Sequence, residues 1–316
     1  MTSQPTQPDR TTSPVALRHF LALDDLSGEE IRKLLERAVE LKRWRREGRR
    51  PPLFERKTLA MIFEKSSTRT RVSFEGAMAE GGGKAIFLSS QESQLGRGEP
   101  PEDTARVLSQ MADVVMVRTF GHDIVERIAR CATVPVINGL TNSLHPCQVL
   151  ADLLTYREHR GDIAGKRVAW VGDGNNMCNT YISAARLMDF ELRIAVPPGY
   201  EPPLAASLMG GARVTIGHDP CAAVRDADLV VTDVWASMGQ EQEVEARRAV
   251  FRPYQVNAEL MGKAAPAVLF MHCLPAHRGE EVSAEIIDHA ASVVWDEAGN
   301  RLHAQKALLE FLLSPR

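Results

Sequence analysis

The sequence lacks the features of membrane and secreted proteins. None of the apolar runs in its 316 residues approaches the ~18 consecutive apolar residues of a membrane span. Residues 1–18 are polar, with three prolines and no apolar run, so they predict a disordered tail and not a signal peptide. The formal net charge of −3 gives no electrostatic reason to expect nucleic acid or a membrane as partner. We therefore expect a globular cytoplasmic protein, long enough for two domains.

Cysteine is scarce and its spacing is irregular. The chain has five cysteines, an odd number with no CxxC pair, and they are Cys131, Cys147, Cys178, Cys221 and Cys273. This pattern predicts neither a disulfide framework nor a structural zinc site. Each cysteine is by default a small buried apolar residue. Cys147 and Cys273 are exceptions because they lie within polar motifs.

Three catalytic signatures are also missing. The glycine-rich loop at residues 172–176 is not GxGxxG, and the next predicted strand ends at Val196 without an acidic residue, so no dinucleotide is expected. The histidines show no HExxH or other metal-ligand spacing. A GxSxG elbow for a serine hydrolase is absent. The sequence therefore predicts chemistry that uses neither a cofactor nor a metal.

The most informative motif that is present runs from Ser67 to Arg71, with the sequence STRTR. It follows the apolar run at residues 59–63, which predicts a buried strand, and it precedes a helical pattern that ends at Gly81. Hydroxyl groups, guanidinium groups and the free N–H groups of a helix start are thus gathered where a strand ends. Such a site attracts phosphate. Alone, the motif is equally compatible with a capped helix whose arginines face water.

Short apolar strands alternate with helical segments along the chain. The sequence predicts strands at residues 58–63, 85–88, 113–117, 134–137, 167–171, 192–196, 213–216, 229–232, 268–271 and 293–295. Helices are predicted at residues 28–50, 101–111, 148–160, 177–188, 283–291 and 304–313. This alternation is typical of parallel sheets covered by helices. We predict an α/β fold of two doubly wound parallel-sheet domains with the active site in the cleft between them.

Polar clusters follow five of these predicted strands. They are Arg118, residues 145–148 (HPCQ), residues 172–176 (GDGNN), residues 233–239 (DVWASMG) and residues 272–275 (HCLP). Ligands of such folds bind beyond the carboxyl ends of the strands. Each cluster alone is compatible with ordinary turn chemistry. Together they predict one cleft.

In this order, the clusters resemble the motifs of the aspartate/ornithine carbamoyltransferase family, and in particular those of its ornithine-specific members. The resemblance extends from about residue 20 to residue 312. STRTR and HPCQ resemble the carbamoyl-phosphate motifs, DVWASMG the ornithine loop, and HCLP the loop that closes the site. The resemblance implies transfer of the carbamoyl group of carbamoyl phosphate to the δ-amine of L-ornithine, giving L-citrulline and phosphate.

The resemblance also implies where carbamoyl phosphate binds. Its site would comprise Ser67, Thr68, Arg69, Thr70, Gln94, Arg118, His145, Gln148, Cys273, Leu274 and Arg301. His145 would donate to the carbamoyl oxygen and Gln148 would accept from the carbamoyl NH₂. In the family, a glutamine from a neighbouring subunit completes this site, and Gln94 matches it. The family forms trimers, so we expect a homotrimer or a multiple of trimers.

The amino-acid site follows from the same resemblance. Asp233 would bind the α-ammonium group of ornithine, while Asn176 and the Ser237–Met238 segment would bind its α-carboxylate. The catalytic set would be Arg69, His145, Cys273 and Arg301. No general base is implied beside Cys273, so its thiol is interpreted as orienting the amine and not as a nucleophile. Arg301 is expected just before the final helix.

The resemblance implies two domains. Residues 19–152 would bind carbamoyl phosphate, with residues 303–316 packing back on them, and residues 153–302 would bind ornithine.

Aspartate-, putrescine- and N-acetylornithine-specific enzymes are alternatives within the family. The ornithine loop and Cys273 favour ornithine over each of them. From another class, a non-catalytic binding protein has no use for the carbonyl-polarising residues. The direction of the reaction in the cell, biosynthetic or catabolic, stays open.

Overall fold

Two parallel sheets organise the part of the chain that the computed structural model describes, which is residues 17–89, 98–236 and 241–314. The first sheet contains β1 (Thr58–Phe63), β2 (Lys84–Ser89), β3 (Val114–Arg118) and β4 (Val136–Leu140), in the order β2-β1-β3-β4. The second contains β5 (Arg167–Val171), β6 (Glu191–Ala195), β7 (Arg213–Gly217), β8 (Leu229–Thr232) and β9 (Leu269–His272), in the order β7-β6-β5-β8-β9. All neighbouring strands are parallel. The predicted α/β fold with two parallel sheets is confirmed.

Helices connect the strands and cover the sheets. The first five are α1 (Gly28–Arg46), α2 (Thr68–Glu80), α3 (Pro101–Ser109), α4 (His122–Cys131) and α5 (Pro146–Arg160). The others are α6 (Asn176–Met188), α7 (Ala205–Leu208), α8 (Pro220–Val224), α9 (Val244–Phe251), α10 (Ala258–Met261), α11 (Ala284–Ile287) and α12 (Val294–Leu313). Short 3₁₀ helices occupy Leu23–Asp25, Glu241–Glu243 and Arg252–Tyr254. No described helix is both long enough and apolar enough to cross a membrane.

Local sequence explains why the main helices begin where they do. Ser27 accepts from the backbone N–H of Glu30 while the Glu30 carboxylate accepts from that of Ser27, which forms a capping box at α1. Asn175 caps α6 by accepting from two backbone N–H groups. At α5, Pro146 occupies the first turn, where its missing N–H costs nothing.

The predicted strand at residues 293–295 is wrong, and several predicted helices have other bounds, since the helix predicted at 28–50 ends at Arg46 and the one predicted at 101–111 ends at Ser109. Residues 294–313 form the single helix α12, and the predicted helix at 283–291 shrinks to Ala284–Ile287. Arg301 therefore lies within α12 and not before the last helix. Helix α12 packs against α1, α2 and α5. Buried polar residues such as Glu297 and Arg301 interrupt the apolar pattern by which a helix is recognised, so the sequence did not indicate that the helix begins at Val294.

The parallel strands place their carboxyl ends at one edge of each sheet, where the connecting loops are polar. Strands β1 and β3 are almost wholly buried, since helices cover both of their faces. The two edges are bridged by α5, which follows the last strand of the first sheet and precedes the first strand of the second. Most of the predicted site residues that the structure describes lie along these edges.

Candidate active site

A cavity of about 850 Å³ lies between the carboxyl edges of the two sheets. It is lined by twelve of the residues predicted from the sequence, which are Ser67, Thr68, Arg69, Thr70, Arg118, His145, Gln148, Asn176, Asp233, Cys273, Leu274 and Arg301. Gln94, Ser237 and Met238 lie outside the described residues. The sequence motifs thus meet in one cavity, although their individual roles stay a prediction.

The start of α2 forms one wall of this cavity. Ser67 caps the helix, and its hydroxyl oxygen accepts from the Thr70 backbone N–H at 3.2 Å. Arg69, in the first turn, extends across the cleft and donates from Nη2 to the carbonyl of Leu274 at 2.5 Å. The backbone N–H groups of a first helical turn and an adjacent guanidinium group form a site suited to an anion.

Three guanidinium groups act on one another at this wall. Arg118 is buried at the end of β3, and its Nε has no hydrogen-bond partner among the described residues. Burial, and then the charges of Arg301 and Arg69, lower the pKa of Arg118 to about 10, while Cys273 acts in the opposite direction. The group stays cationic at neutral pH. Excess positive charge in a dry wall favours a bound anion.

His145 adjoins these arginines at the start of α5. Its backbone N–H donates to the Thr180 hydroxyl at 2.9 Å, and its Nδ1 has no hydrogen-bond partner in the described part of the chain. Burial, followed by the charges of Arg301, Arg118 and Arg69, holds the pKa of His145 well below its ordinary value. The ring is therefore neutral at pH 7 and carries one N–H donor, which suits it to polarise a carbonyl group.

Gln148 lies one turn further along α5, beside Arg301. Its Oε1 accepts from Arg301 Nη1 at 2.6 Å. Its Nε2 donates to Asp152 Oδ1 and to Glu297 Oε1, each at 2.9 Å. The second lone pair of Oε1 is therefore the acceptor that Gln148 can offer to a ligand.

The opposite wall of the cavity is acidic. Asp233, directly after β8, accepts from the Cys273 thiol at 3.0 Å, from Asn175 Nδ2 at 2.7 Å and from the Val234 backbone N–H at 2.8 Å. Burial, and then the charge of Asp233, raise the pKa of the Cys273 thiol well above its usual value. The thiol is protonated at neutral pH, which agrees with the interpretation that it is not a nucleophile.

Asn176 begins α6, next to the residue that contacts Asp233. Its Nδ2 donates to the carbonyl of Thr141 at 2.6 Å. An amide nitrogen carries two hydrogens, so one remains for a ligand. Asn175, which the sequence analysis did not single out, is the residue that reaches Asp233. The sequence does indicate Asn175, because it directly precedes a helical pattern, where asparagine commonly caps a helix, and it follows a predicted strand.

Two further contacts hold the loops of this wall, and the sequence analysis missed both. His272 Nδ1 accepts from the Leu274 backbone N–H at 2.9 Å, and its Nε2 lies 3.0 Å from Glu281 Oε1. This contact helps to hold Leu274 at a φ of 58°, a conformation unusual for leucine. On the other side, the Arg247 guanidinium lies 2.7 Å from Asp173 and donates from Nε to the carbonyl of Trp235.

Two groups of side chains in the described residues are close enough together to hold a metal ion. They are Asp233, His272 and Cys273, and His277, Glu280 and Glu281. In the first group the thiol is protonated and both nitrogens of His272 already have partners. In the second, Glu280 pairs with Arg248 at 2.6 Å. Both sets are thus engaged in contacts within the protein.

Comparisons with known proteins agree with this geometry. The family described as "Aspartate/ornithine carbamoyltransferase, carbamoyl-P binding domain" matches residues 18–158. The family described as "Aspartate/ornithine carbamoyltransferase, Asp/Orn binding domain" matches residues 164–312. Between them, the two matches cover nearly all of the described residues.

Relatives with high identity extend over nearly the whole chain. An ornithine carbamoyltransferase of Methylococcus capsulatus is 64% identical over 297 residues, which cover 94% of this chain and 99% of that protein. Another, of Acinetobacter baumannii, is 61% identical over 300 residues, covering 95% and 98% of the two chains.

Solved structures give the same result. The ornithine carbamoyltransferase of Burkholderia thailandensis superposes with a TM-score of 0.87 at 53% identity, covering 94% of this chain and 99% of that one. That of Pyrococcus furiosus superposes with a TM-score of 0.89 at 52% identity, covering 93% and 96%. The chain belongs to the aspartate/ornithine carbamoyltransferase family.

Proposed function

We propose that this protein transfers the carbamoyl group of carbamoyl phosphate to the δ-amine of L-ornithine, which yields L-citrulline and phosphate. One observation carries the proposal beyond family membership, namely the opposite charges of the two cavity walls. Arg69, Arg118 and Arg301 line one wall, while Asp233 lines the other, where Arg247 balances the charge of Asp173. Such a cavity suits one anionic substrate and one substrate with an ammonium group.

The phosphate end of carbamoyl phosphate binds at the start of α2. Ser67, Thr68, Arg69 and Thr70 supply backbone and side-chain donors there, and Arg118 supplies another guanidinium group. Charge-assisted hydrogen bonds of this kind are about twice as strong as neutral ones. The low pKa that burial and neighbouring arginines give to Arg118 supports this placement, because an arriving dianion relieves their repulsion.

The carbamoyl end binds beside α5. His145 donates its N–H to the carbonyl oxygen, Gln148 accepts from the NH₂ group, and Arg301 stabilises the charge that develops. When the amine attacks, the carbonyl oxygen becomes an oxyanion, and fixed donors in a dry site stabilise it more than water does. His145 is neutral here, so it polarises the carbonyl without giving up a proton.

The amino acid binds at the acidic wall. Asp233 holds the α-ammonium group, Asn176 and the Ser237–Met238 segment hold the α-carboxylate, and Cys273 with the Leu274 carbonyl faces the δ-amine. An unperturbed alkylamine has a pKa of about 10.4, so the site must favour its neutral form. The departing phosphate takes the amine proton as the C–O bond breaks and the C–N bond forms. The proposal includes neither a cofactor nor a metal.

We also propose how the chain is organised around this reaction. Residues 19–152, with residues 303–316, form the carbamoyl-phosphate domain, and residues 153–302 form the ornithine domain. The protein is cytoplasmic and trimeric, with Gln94 completing the site of a neighbouring subunit. Exposed apolar side chains in the first domain support an interface there, because Val72 on α2 and Ile86 on β2 are 60% and 48% exposed. Arginine biosynthesis or its catabolic counterpart is the pathway.

A steady-state assay tests the reaction. Purified protein receives carbamoyl phosphate with L-ornithine, L-aspartate, putrescine or N-acetyl-L-ornithine as the acceptor, and both the phosphate and the carbamoylated product are measured. We expect citrulline from ornithine and at least ~100-fold lower kcat/KM with the other acceptors, because each of them lacks a group that the acidic wall binds. Carbamoyl aspartate as the main product would assign the chain to the aspartate branch.

A further inference from the structure

The amide orientation of Gln148 is fixed by buried charged groups. Its Nε2 donates to Asp152 Oδ1 and Glu297 Oε1 at 2.9 Å, and its Oε1 accepts from Arg301 Nη1 at 2.6 Å. The opposite orientation would place oxygen against two carboxyl groups and nitrogen against a guanidinium group. The contacts with Arg301 and with the ionised carboxyl group would then be repulsive, so the observed orientation is the favourable one.

The two carboxyl groups contact the same amide nitrogen and are both buried, with exposed fractions of 2% for Asp152 and 1% for Glu297. Two carboxylates in such contact do not both ionise, so the pair carries one proton. Both oxygens of Asp152 accept hydrogen bonds, one from Gln148 and one from the Tyr181 hydroxyl at 2.9 Å. Both oxygens of Glu297 accept hydrogen bonds as well, from Gln148 and from the His272 backbone N–H, so these contacts alone leave the proton shared between the two carboxyl groups.

The electrostatics favour Glu297 as the member that holds the proton. Burial raises the pKa of Asp152 to about 6, so the group is largely ionised at pH 7. Burial, and then the charge of Asp152, raise the pKa of Glu297 well above its usual range. The single negative charge balances the buried guanidinium group of Arg301, which binds the other end of the Gln148 amide.

We propose that the Asp152–Glu297 pair, through its one shared negative charge, positions Gln148 to present oxygen to the cavity and so makes the site select a carbamoyl NH₂ group. The inference rests on the proposed function, which places the carbamoyl group beside Gln148. Asp152 and Glu297 act through Gln148 and are positioning residues. The other carboxyl oxygen of Glu297 accepts from the His272 backbone N–H at 2.9 Å, which connects the pair to the loop of Leu274 as well.

The consequence for specificity is measurable with acetyl phosphate. This compound carries the same phosphate and carbonyl groups as carbamoyl phosphate but has a methyl group in place of NH₂. A methyl group cannot donate to Gln148 Oε1, which then stays partly unsatisfied in a buried site. Such a loss weakens binding about tenfold or more.

Calorimetry on the intact protein tests the proposal through the ratio of the two dissociation constants. We expect the wild type to prefer carbamoyl phosphate at least ~10-fold. Asp152→Asn and Glu297→Gln each leave one carboxyl group to hold the charge, so each should retain most of this preference. The double variant has no charge left, and its preference should fall below ~3-fold, a greater loss than the two single changes multiplied together.

A matched control removes a buried hydrogen bond from the same helix without affecting the pair. Thr155, on α5, donates to the Ala151 carbonyl at 2.7 Å and accepts from Asn300 Nδ2 at 2.9 Å. Thr155→Val should lower the melting temperature and leave the ratio as in the wild type. An unchanged ratio in the folded double variant, or single losses that simply multiply, would overturn the proposal.

A neutron structure of the wild-type protein in D₂O gives a second test that needs no variant to fold. We expect two deuterons on the Gln148 atom that faces the carboxyl pair and one deuteron on the pair itself. No deuteron on the pair, two deuterons on it, or nitrogen facing Arg301 would contradict the inference.

If the wild type makes citrulline and either test fails, this inference alone is wrong. If the wild type binds no carbamoyl phosphate, the proposed function is wrong as well.

Discussion

Among the residues of the cavity, Arg69 connects the anion site to the amino-acid site. It belongs to the first turn of α2, and its guanidinium group donates to the carbonyl of Leu274, which follows β9 of the other sheet. The same guanidinium group lies near enough to Arg118 and His145 to lower the pKa of both. One side chain thus contributes to the charge of the site and to the position of its closing loop.

Replacing Arg69 with alanine should therefore be severe. Arg69→Ala removes a charge-assisted donor from both the phosphate and the developing oxyanion, and kcat/KM should fall at least ~100-fold. Steady-state kinetics measure the effect. Arg106→Ala is the control, because Arg106 pairs with Asp103 on the exposed helix α3 and should leave kcat/KM unchanged. Near-normal turnover of Arg69→Ala would mean that carbamoyl phosphate is misplaced.

At the acidic wall, Asp233 offers a test of the two-substrate assignment. Asp233→Asn removes the charge that faces the α-ammonium group, so it should weaken ornithine binding ~10-fold or more while carbamoyl phosphate still binds nearly normally. Calorimetry with each ligand separately measures the two affinities, using for ornithine the protein with phosphate already bound. An equal loss for both ligands would show that the two walls do not serve different substrates.

For single residues, the sequence predicts the site residues that directly follow strands. It misses the residues that hold those site residues in position. Asp233 and Cys273 stand out because they lie in polar motifs directly after apolar strands. Asp152 and Glu297 do not stand out, because each is a single acidic residue within a long helix. Such a residue is ordinarily interpreted as exposed to solvent. Their contact with Gln148 depends on how α5 and α12 pack, which no local pattern contains.

At the scale of elements, α12 shows why local pattern failed. Its start is apolar and β-branched, which favours a short strand, and its buried face carries Glu297, Asn300, Arg301, His303, Gln305 and Lys306. These polar residues hide the helical period of hydrophobicity by which helices are recognised. By contrast, β1 and β5 are continuous apolar runs ended by polar turns, and their predicted bounds match the structure. The buried polar side chains of α12 are thus the reason for the error.

A buried histidine of the same helix, His303, should make the stability of the fold depend on pH. Burial, and then the charges of Lys42 and Arg45, lower the pKa of this imidazole to about 3. Between pH 3 and pH 6.5, the unfolded chain therefore binds a proton that the folded protein rejects. The free energy of unfolding should therefore decrease as the pH is lowered through this window, by at most about 1.4 kcal/mol per pH unit from this group.

His303→Gln removes this group, so its free energy of unfolding should fall less between pH 7 and pH 5 than that of the wild type. Urea denaturation at both pH values measures the difference. The pair of measurements at pH 7 and pH 8 is the control, because the imidazole is then mostly neutral in both states. Equal losses in the two proteins between pH 7 and pH 5 would show that His303 accepts a proton in the fold.

For the molecule as a whole, the connections between the two sheets determine the geometry of the site. Arg69 reaches the Leu274 carbonyl, Asn176 reaches the Thr141 carbonyl, and Glu297 on α12 accepts from the His272 backbone. The sequence predicted two sheets and one cleft because the alternation of strands with helices and the polarity of loops are local properties. These cross-connections join residues distant in the chain, so they could be known only from the structure.

The proposed trimer extends this argument to neighbouring subunits. If Gln94 enters the site of a neighbour, each site combines Gln94 from one chain with Arg118 from another. Gln94→Glu places a negative charge beside the bound phosphate and should reduce activity strongly, as should Arg118→Ala. After subunit exchange between these two inactive variants, some sites receive both wild-type residues. Activity should then recover to a fraction set by the mixing ratio, and the citrulline assay measures it.

The control for subunit mixing uses two variants whose residues lie in the same cavity of one chain. Arg69 and Arg118 both line the cavity described here, so a site takes both residues from a single subunit. When Arg69→Ala is mixed with Arg118→Ala, every site lacks one of the two guanidinium groups and no activity should return. Recovery in the Gln94 mixture alone, with exchange verified by mass spectrometry of the mixed oligomers, is the expected result. Exchange without recovery in either mixture would mean that Gln94 does not complete a neighbour's site.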